Sequence, residues 1–229
     1  MSSTVMTNTM PDILYEQYCL EALSLMGQLA DFGLTHAQLA ALLQNPTCML
    51  AGGAAANIFY NYLNPVEQKP LDTNADLDFW IHDRHIDDQN QNPSRYLAFN
   101  NFKNTVEGAG YVQHHRHPAI AVWYQKAFAV QGNTRIRCNW WTHPVSGKRI
   151  QLIFTSTPPE QTLLNFDLPV CRAAVIATDG IFHLKWTGQC EKVMRDRLMM
   201  VPSTETQTPL LAYRIAKYAE RYDISLLHG

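Results

Sequence analysis

The chain has 229 residues, of which 46% are hydrophobic and only 17% charged, so it can bury a sizeable core and is not a disordered chain. Its formal net charge of −2 excludes a uniformly basic protein that grips long duplex nucleic acid. The five cysteines are widely spaced and form no C-x-x-C pair, which argues against a disulfide framework or a zinc ribbon. No apolar run is long enough for a membrane span and no secretory signal is visible, so we expect a cytoplasmic protein without a membrane partner.

Residues 1–46 are predicted to be helical. Apolar residues from Ile13 to Leu29 favour a first helix that stops near Gly33. A second helix is predicted to begin at Thr35, because Gln38 three residues later completes a capping box.

A strand, a glycine turn and a helix are predicted next. Residues 48–50 are typical of a short buried strand, Gly52 and Gly53 of a tight turn, and residues 54–63 of a helix. Residues 64–74 contain two prolines and no periodicity, which predicts a loop.

The clearest strand in the sequence is residues 75–82, where apolar residues alternate with polar or aromatic ones. Pro93 is predicted to open a helix that continues to about Glu107. Residues 111–154 then alternate in a way that favours several strands.

The last third is predicted to contain a short helix, a hairpin and terminal helices. The short helix would start at Thr157, with Glu160 completing a second capping box. Asp179 and Gly180 favour a hairpin turn, and two helices are predicted at about 190–200 and 209–224, the second capped by Thr208.

These elements predict one α+β domain over residues 1–229, with a mixed, mostly antiparallel sheet flanked by helices. Its parts would be N-terminal helices (1–46), a sheet core that carries the site (47–187) and C-terminal helices (188–229).

Asp76 and Asp78 are the first candidate site residues. Residues i and i+2 of a strand point to the same face, so their carboxylates repel each other unless a cation lies between them. A divalent cation such as Mg²⁺ or Mn²⁺, held by these two carboxylates and by substrate phosphates, would remove this repulsion. The alternative is a surface strand whose polar face contacts water.

Gly52 and Gly53 are the second candidate feature. Glycines before a helix allow a phosphate to approach the backbone, and the first helical amides can donate to it. An ordinary tight turn is the alternative for the glycines alone, but the glycine turn and the acidic strand together predict a site for a nucleoside triphosphate.

This order of strand, Gly-Gly, helix and D-x-D strand resembles the nucleotidyltransferase fold of the DNA polymerase β superfamily. The segments RIQLIF (149–154), NFDLPVCRAAV (165–175) and RIAKYAERY (214–222) resemble small nucleotidyltransferase-like proteins of phages and large DNA viruses. The resemblance implies a nucleotidyltransferase fold, ATP or another nucleoside triphosphate as ligand, and the host cytoplasm as location for a phage-encoded chain.

The resemblance also implies a third carboxylate on a later strand, where this sequence has Gln151. Glutamine cannot act as a base and is a weak ligand for magnesium. Asp167 is the nearest acidic candidate for the third catalytic carboxylate, and its alternative roles are capping a turn or pairing with an arginine.

Arg214, Lys217 and Arg221 are spaced i, i+3 and i+7, so they share one face of the last helix. Such a row of cations fits a phosphate-binding face, and a solvated basic face is the alternative.

The sequence therefore predicts a metal-dependent enzyme that moves a nucleoside monophosphate from a triphosphate to an acceptor hydroxyl and releases pyrophosphate. The acceptor could be a protein, an RNA end or a small molecule. Two further readings stay open: an inactive relative that binds nucleotide or acts in assembly, and an α+β protein whose D-x-D strand is incidental.

Overall fold

The computed structural model describes residues 14–17, 20–86, 93–114 and 136–229. These residues form an α+β fold with ten strands and seven α-helices. The strands are β1 (Leu14–Gln17), β2 (Cys48–Ala51), β3 (Asp76–His82), β4 (Val112–His114), β5 (Ile136–Thr142), β6 (Arg149–Thr155), β7 (Ala173–Thr178), β8 (Ile181–Thr187), β9 (Leu198–Val201) and β10 (Ser225–His228). The helices are α1 (Ala22–Gln28), α2 (His36–Leu43), α3 (Gly53–Leu63), α4 (Pro93–Gly108), α5 (Pro159–Leu164), α6 (Gly188–Asp196) and α7 (Pro209–Tyr222).

Eight strands form one mixed sheet in the order β1-β8-β7-β2-β3-β6-β5-β4. The pair β3 and β6 is parallel and the other pairs of this sheet are antiparallel, which confirms the predicted mixed, mostly antiparallel sheet. The central position of β2 and β3 places the glycine turn and the two aspartates in the middle of the sheet.

The central strands are apolar because helices cover them. All four residues of β2 are buried, and six of the seven residues of β6 are buried. Helix α3 is buried along nearly its whole length, since Ala54, Ala55 and Ala56 allow it to pack closely on the sheet. The rigid core therefore extends directly to the start of α3.

Several local predictions are confirmed by the structure. Thr35 and Gln38 form the predicted capping box at α2, and the Thr208 hydroxyl accepts a hydrogen bond from the Leu211 amide at α7. The β7–β8 hairpin turns at Asp179 and Gly180, both of which have positive φ.

The N-terminal prediction is wrong in one part. Leu14–Gln17 form a strand that pairs with the edge strand β8, whereas the sequence predicts a helix there. Pairing with a distant strand overrides the local apolar pattern. The second capping box is also wrong, because α5 has Pro158 as its N-cap and no side-chain cap bond.

The C-terminal region 188–229 is not purely helical as predicted. Residues Leu198–Val201 and Ser225–His228 form a separate two-stranded parallel sheet. Helix α6 ends at Arg197 and α7 ends at Asp223, and both of these residues adopt left-handed backbone angles. Each helix therefore ends, and the segments that follow the two helices pair with each other as β9 and β10.

Four of the five cysteines lie in the described segments, where they are buried and not disulfide-bonded, and Cys19 lies outside these segments. Residues 115–135 of the region predicted to contain several strands (111–154) also lie outside the described residues. None of the helices in the described ranges combines the length and the apolar character that crossing a bilayer requires.

Candidate functional site

The turn between β2 and α3 has a backbone conformation that only glycine adopts readily. Gly52 has φ 83° and ψ −146° and is the N-cap of α3. A Cβ at this position would lie 3.1 Å from Asp78 Oδ2, and a Cβ on Gly53 would lie 3.0 Å from the Tyr218 hydroxyl. Both glycines therefore allow side chains from β3 and α7 to approach the backbone closely.

Asp76 and Asp78 lie on β3 beside this turn. Asp78 is paired with Ala51, the last residue of β2, so the glycine turn begins next to its carboxylate. Asp78 Oδ1 is buried and has no hydrogen-bond partner among the described residues. By contrast, Asp76 Oδ1 accepts a hydrogen bond from Arg149 Nε at 2.8 Å, and Asp76 Oδ2 accepts one from Gln151 Nε2 at 2.9 Å.

Burial disfavours the charged forms of both aspartates. Removal from water raises the pKa of Asp78 to about 7, and the neighbouring Asp76 charge acts in the same direction. Burial also raises the pKa of Asp76, although the Arg149 charge opposes that rise. Arg214 and Arg149 oppose the rise in the pKa of Asp78, but burial outweighs the effect of the nearby cations at both carboxylates.

Gln151 occupies the position on β6 where the resemblance implies a third carboxylate. It is the direct neighbour of Asp78 in the parallel pair β3–β6. Its side chain is buried, donates to Asp76 and accepts a weak bond from the Cys138 thiol at 3.5 Å. The glutamine therefore contributes a neutral amide to the site.

A small pocket of about 140 Å³ joins the glycine turn, the acidic strand and the last helix. Its lining includes Gly53, Asp72, Asp76, Asp78, Lys217 and Arg221. A larger groove of about 630 Å³ shares Asp72, Lys217 and Arg221 with this pocket. Together they form a cleft with acidic residues at one end and cations along one wall.

The loop before β3 takes part in the cleft, which the sequence did not indicate. Two buried asparagines of α3 hold this loop: Asn57 Nδ2 donates to the Lys69 carbonyl at 2.9 Å, and Asn61 Oδ1 accepts from the Lys69 amide at 2.8 Å. The loop then presents Asp72, whose carboxylate accepts a bond from the Asn74 amide at 2.9 Å. The only sequence signal for this anchoring of the loop was the presence of Asn57 and Asn61 within a predicted helix.

Two of the three predicted cations of the last helix reach the cleft. Lys217 Nζ lies 3.0 Å from Asp72 Oδ2, and Arg221 Nη2 donates to Asn57 Oδ1 at 2.6 Å and to the Pro70 carbonyl. The Asn74 amide bond and Lys217 hold the pKa of the Asp72 carboxyl below its usual range.

Arg214 and Asp167 have a different arrangement. Arg214 Nη1 forms an ion pair with Asp167 Oδ2, and neither residue lines the pocket that holds Asp76 and Asp78. Asp167 Oδ1 is buried without a hydrogen-bond partner among the described residues, and the Arg214 charge lowers the pKa of Asp78 against the effect of burial. The observed contact is the arginine pairing that the sequence left open for Asp167. Participation of either residue in catalysis stays a prediction.

The residues present fit one divalent cation. Asp78 offers a buried carboxylate oxygen without a partner, and the Asp76 carboxylate lies two residues away on the same strand. No group of three or more histidine, cysteine or acidic side chains in the described ranges converges as a metal site. The protein would thus supply two carboxylates, and water and substrate phosphates would complete the shell, which is the ligand set typical of Mg²⁺.

Comparison of the sequence with protein-family models and with curated proteins gives no match. The interpretation of the cleft therefore depends on its own geometry and chemistry.

Proposed function

We propose that the protein is a metal-dependent nucleotidyltransferase that binds a nucleoside triphosphate in the cleft between α3, β3 and α7. It would transfer the nucleoside monophosphate to an acceptor hydroxyl and release pyrophosphate. The proposal includes a nucleotidyltransferase-like fold, for which the mixed sheet and the position of the glycine turn beside the acidic strand are the support.

The unpartnered Asp78 oxygen is the observation that carries this proposal. A buried carboxylate oxygen without a hydrogen bond destabilises a protein by roughly 1–3 kcal/mol or more. Here Asp78 lies beside a second carboxylate, and its other oxygen, Oδ2, occupies the space that a Cβ on Gly52 would need. Such an uncompensated arrangement is reasonable at a position that a cation fills during function.

The residues of the cleft have distinct roles in this proposal. Asp76 and Asp78 would hold the cation, which supplies Lewis acidity towards the phosphates and the attacking hydroxyl. Gly53 lines the pocket at the start of α3, where the first helical amides would donate to a phosphate, and Gly52 gives room to the Asp78 carboxylate beside it. Lys217 and Arg221 would neutralise charge on the departing pyrophosphate, so that catalysis is mainly positioning and electrostatics.

A second function is favoured by Gln151. A neutral amide stands beside Asp78, and Asp167 is already paired with Arg214. A protein with this donor set could bind metal and nucleotide without transferring it, as a binding or assembly module. The two functions share the cleft and differ only in turnover.

Incubation with each radiolabelled nucleoside triphosphate and Mg²⁺ or Mn²⁺ separates the two functions. We expect pyrophosphate release and a labelled acceptor with the wild-type protein, and a loss of at least about 10³-fold in Asp76→Asn and Asp78→Asn, because each removes one cation ligand. Asp196→Asn, on the exposed end of α6, is the matched control and should leave turnover unchanged. Metal-dependent binding without pyrophosphate release would indicate the module, and no binding of metal or nucleotide would contradict both functions.

A further inference from the structure

The protein offsets the negative charges of the two site aspartates to different extents. Both oxygens of Asp76 accept hydrogen bonds, one from the Arg149 guanidinium and one from the Gln151 amide. Asp78 Oδ1 has no partner among the described residues. One side of the site therefore already holds a protein cation, at the carboxylate that the metal also needs.

The two groups that contact Asp76 are held very differently. Gln151 is buried and is also engaged by the Cys138 thiol, so it is fixed in the sheet. The Arg149 side chain is 51% exposed at the first position of β6 and can rotate into solvent. Ion pairs with such exposed side chains are weak, so that an incoming cation can replace this one.

We propose that Arg149 is a resident counter-ion that occupies the Asp76 side of the site until a divalent cation displaces it. This inference rests on the proposed metal site and adds a residue that sets its affinity. Arg149 keeps the carboxylate pair partly neutralised in the metal-free protein, and its release is part of metal binding. The Arg149–Asp76 pair thus raises the metal concentration at which the site fills.

Titration with Mn²⁺, followed by electron paramagnetic resonance of the free ion and by calorimetry, tests this role. Arg149→Gln should bind Mn²⁺ about 3- to 10-fold more tightly than the wild type, because no ion pair has to be broken. The matched control is Lys148→Gln. Lys148 has the same charge one residue earlier but contacts Asp31 and the Thr73 carbonyl, so its loss should change the affinity by less than about twofold.

Thermal unfolding gives a second readout. In chelator, Arg149→Gln should melt below the wild type because Asp76 loses its counter-ion. In saturating Mn²⁺ the two melting temperatures should converge, because the metal then offsets the Asp76 charge in both proteins.

The possible outcomes separate this inference from the proposed function. Tighter binding by Arg149→Gln alone supports the counter-ion role, as does Mn²⁺ binding by this variant when the wild type binds none. Unchanged or weaker binding by Arg149→Gln, or an equal gain in Lys148→Gln, would overturn the role and leave the metal site intact. Absence of Mn²⁺ binding in every variant would overturn the role and the metal site together.

Discussion

The cleft and the adjoining corner between α7 and the segment before β7 both contain acidic groups, but the arginines that offset their charges differ in burial. At the corner, Asp167 Oδ2 pairs with an internal cation, Arg214, whose side chain is only 19% exposed, although Asp167 Oδ1 is buried without a hydrogen-bond partner among the described residues. In the cleft, Asp78 has an unpartnered oxygen, and Asp76 is compensated by the half-exposed Arg149. The corner holds an ion pair with a mostly buried arginine, whereas the cleft has a half-exposed arginine beside Asp76 and an Asp78 carboxylate whose charged form is disfavoured by burial.

The difference in burial of the two arginines suggests which of the two regions destabilises the ligand-free protein. An internal partner such as Arg214 offsets the charge of a carboxylate whether or not a ligand is bound. Uncompensated carboxylates destabilise the empty protein and gain stabilisation when a cation binds. We therefore interpret the corner as structural support for α7 and the cleft as the binding site.

Loss of the corner arginine should have the largest effect on stability. Arg214→Met leaves the Asp167 carboxylate partly buried without its cation and should lower the free energy of unfolding by about 3 kcal/mol. Arg149→Met, measured beside it by urea denaturation at neutral pH, should lower it by less than about 1 kcal/mol because that pair is exposed. Equal losses in the two variants would contradict the distinction between corner and cleft.

Gly52→Ala should have the next largest effect. The alanine would have to adopt a positive φ and place its Cβ against Asp78 Oδ2, so we expect a loss of about 2–3 kcal/mol and of Mn²⁺ binding. Gly33→Ala is the control, because Gly33 also has a positive φ but no atom lies within 4 Å of its Cβ position. This control should lose about 1 kcal/mol and keep Mn²⁺ affinity. Tolerance of alanine at position 52 would argue against the close approach.

Asp78→Asn should stabilise the metal-free protein by about 2 kcal/mol at pH 8, as urea unfolding in chelator can measure. Burial and Asp76 raise the pKa of Asp78 from 3.8 to about 7, so between these values the folded protein binds more protons than the unfolded chain. Wild-type stability should therefore fall as the pH rises through this window, and the advantage of the variant should vanish near pH 4. Mn²⁺ should reverse the order at pH 8, because only the wild type retains both ligands.

Asp72→Asn should change the free energy of unfolding at pH 8 in the opposite direction to Asp78→Asn. The Asn74 amide and Lys217 lower the pKa of Asp72, so its ionised form stabilises the fold above the ordinary pKa and is lost as the pH falls. This variant should lose a little stability at pH 8. If Asp78→Asn also lost stability at pH 8 without metal, the claim that the ionised Asp78 carboxylate destabilises the metal-free protein would be wrong.

Lys217→Met should have the smallest effect, confined to nucleotide binding. We expect the affinity for a non-hydrolysable triphosphate with Mg²⁺ to fall about tenfold, which corresponds to one charge-assisted hydrogen bond. Lys192→Met removes an exposed lysine on α6 and should leave the affinity unchanged in the same calorimetric titration. An unchanged affinity in Lys217→Met would exclude this lysine from the phosphate site.

Local signals were enough to predict the central part of the fold. The strand β2, the glycine turn and helix α3 follow from a short apolar run, two glycines and a helix-forming segment. The caps at Thr35 and Thr208 follow from side-chain chemistry within four residues. Strands β1, β9 and β10 could not be predicted in this way, because each forms only by pairing with a strand that is distant in the sequence.

The candidate site shows the same division. The alternation of β3 and the paired glycines indicated Asp76, Asp78, Gly52 and Gly53, and the structure brings these residues together. The role of Asp72 depends on how buried asparagines of α3 hold a loop that has no periodicity of its own.

The ion pair of Asp167 with Arg214 joins residues 47 positions apart in the sequence, so local spacing could not reveal it. Only the packing of α7 against the sheet core brings the two side chains together. The sequence could therefore identify Asp167 as a candidate acid but not its partner.

A crystal of the protein with Mn²⁺ and a non-hydrolysable nucleoside triphosphate tests the central claim most directly. The account predicts anomalous density within ligand distance of Asp78 Oδ1 and an Asp76 oxygen, with phosphates at the start of α3 and Arg149 turned away from Asp76. A nucleotide bound in the cleft with no manganese beside these aspartates, or manganese bound at another position, would contradict it.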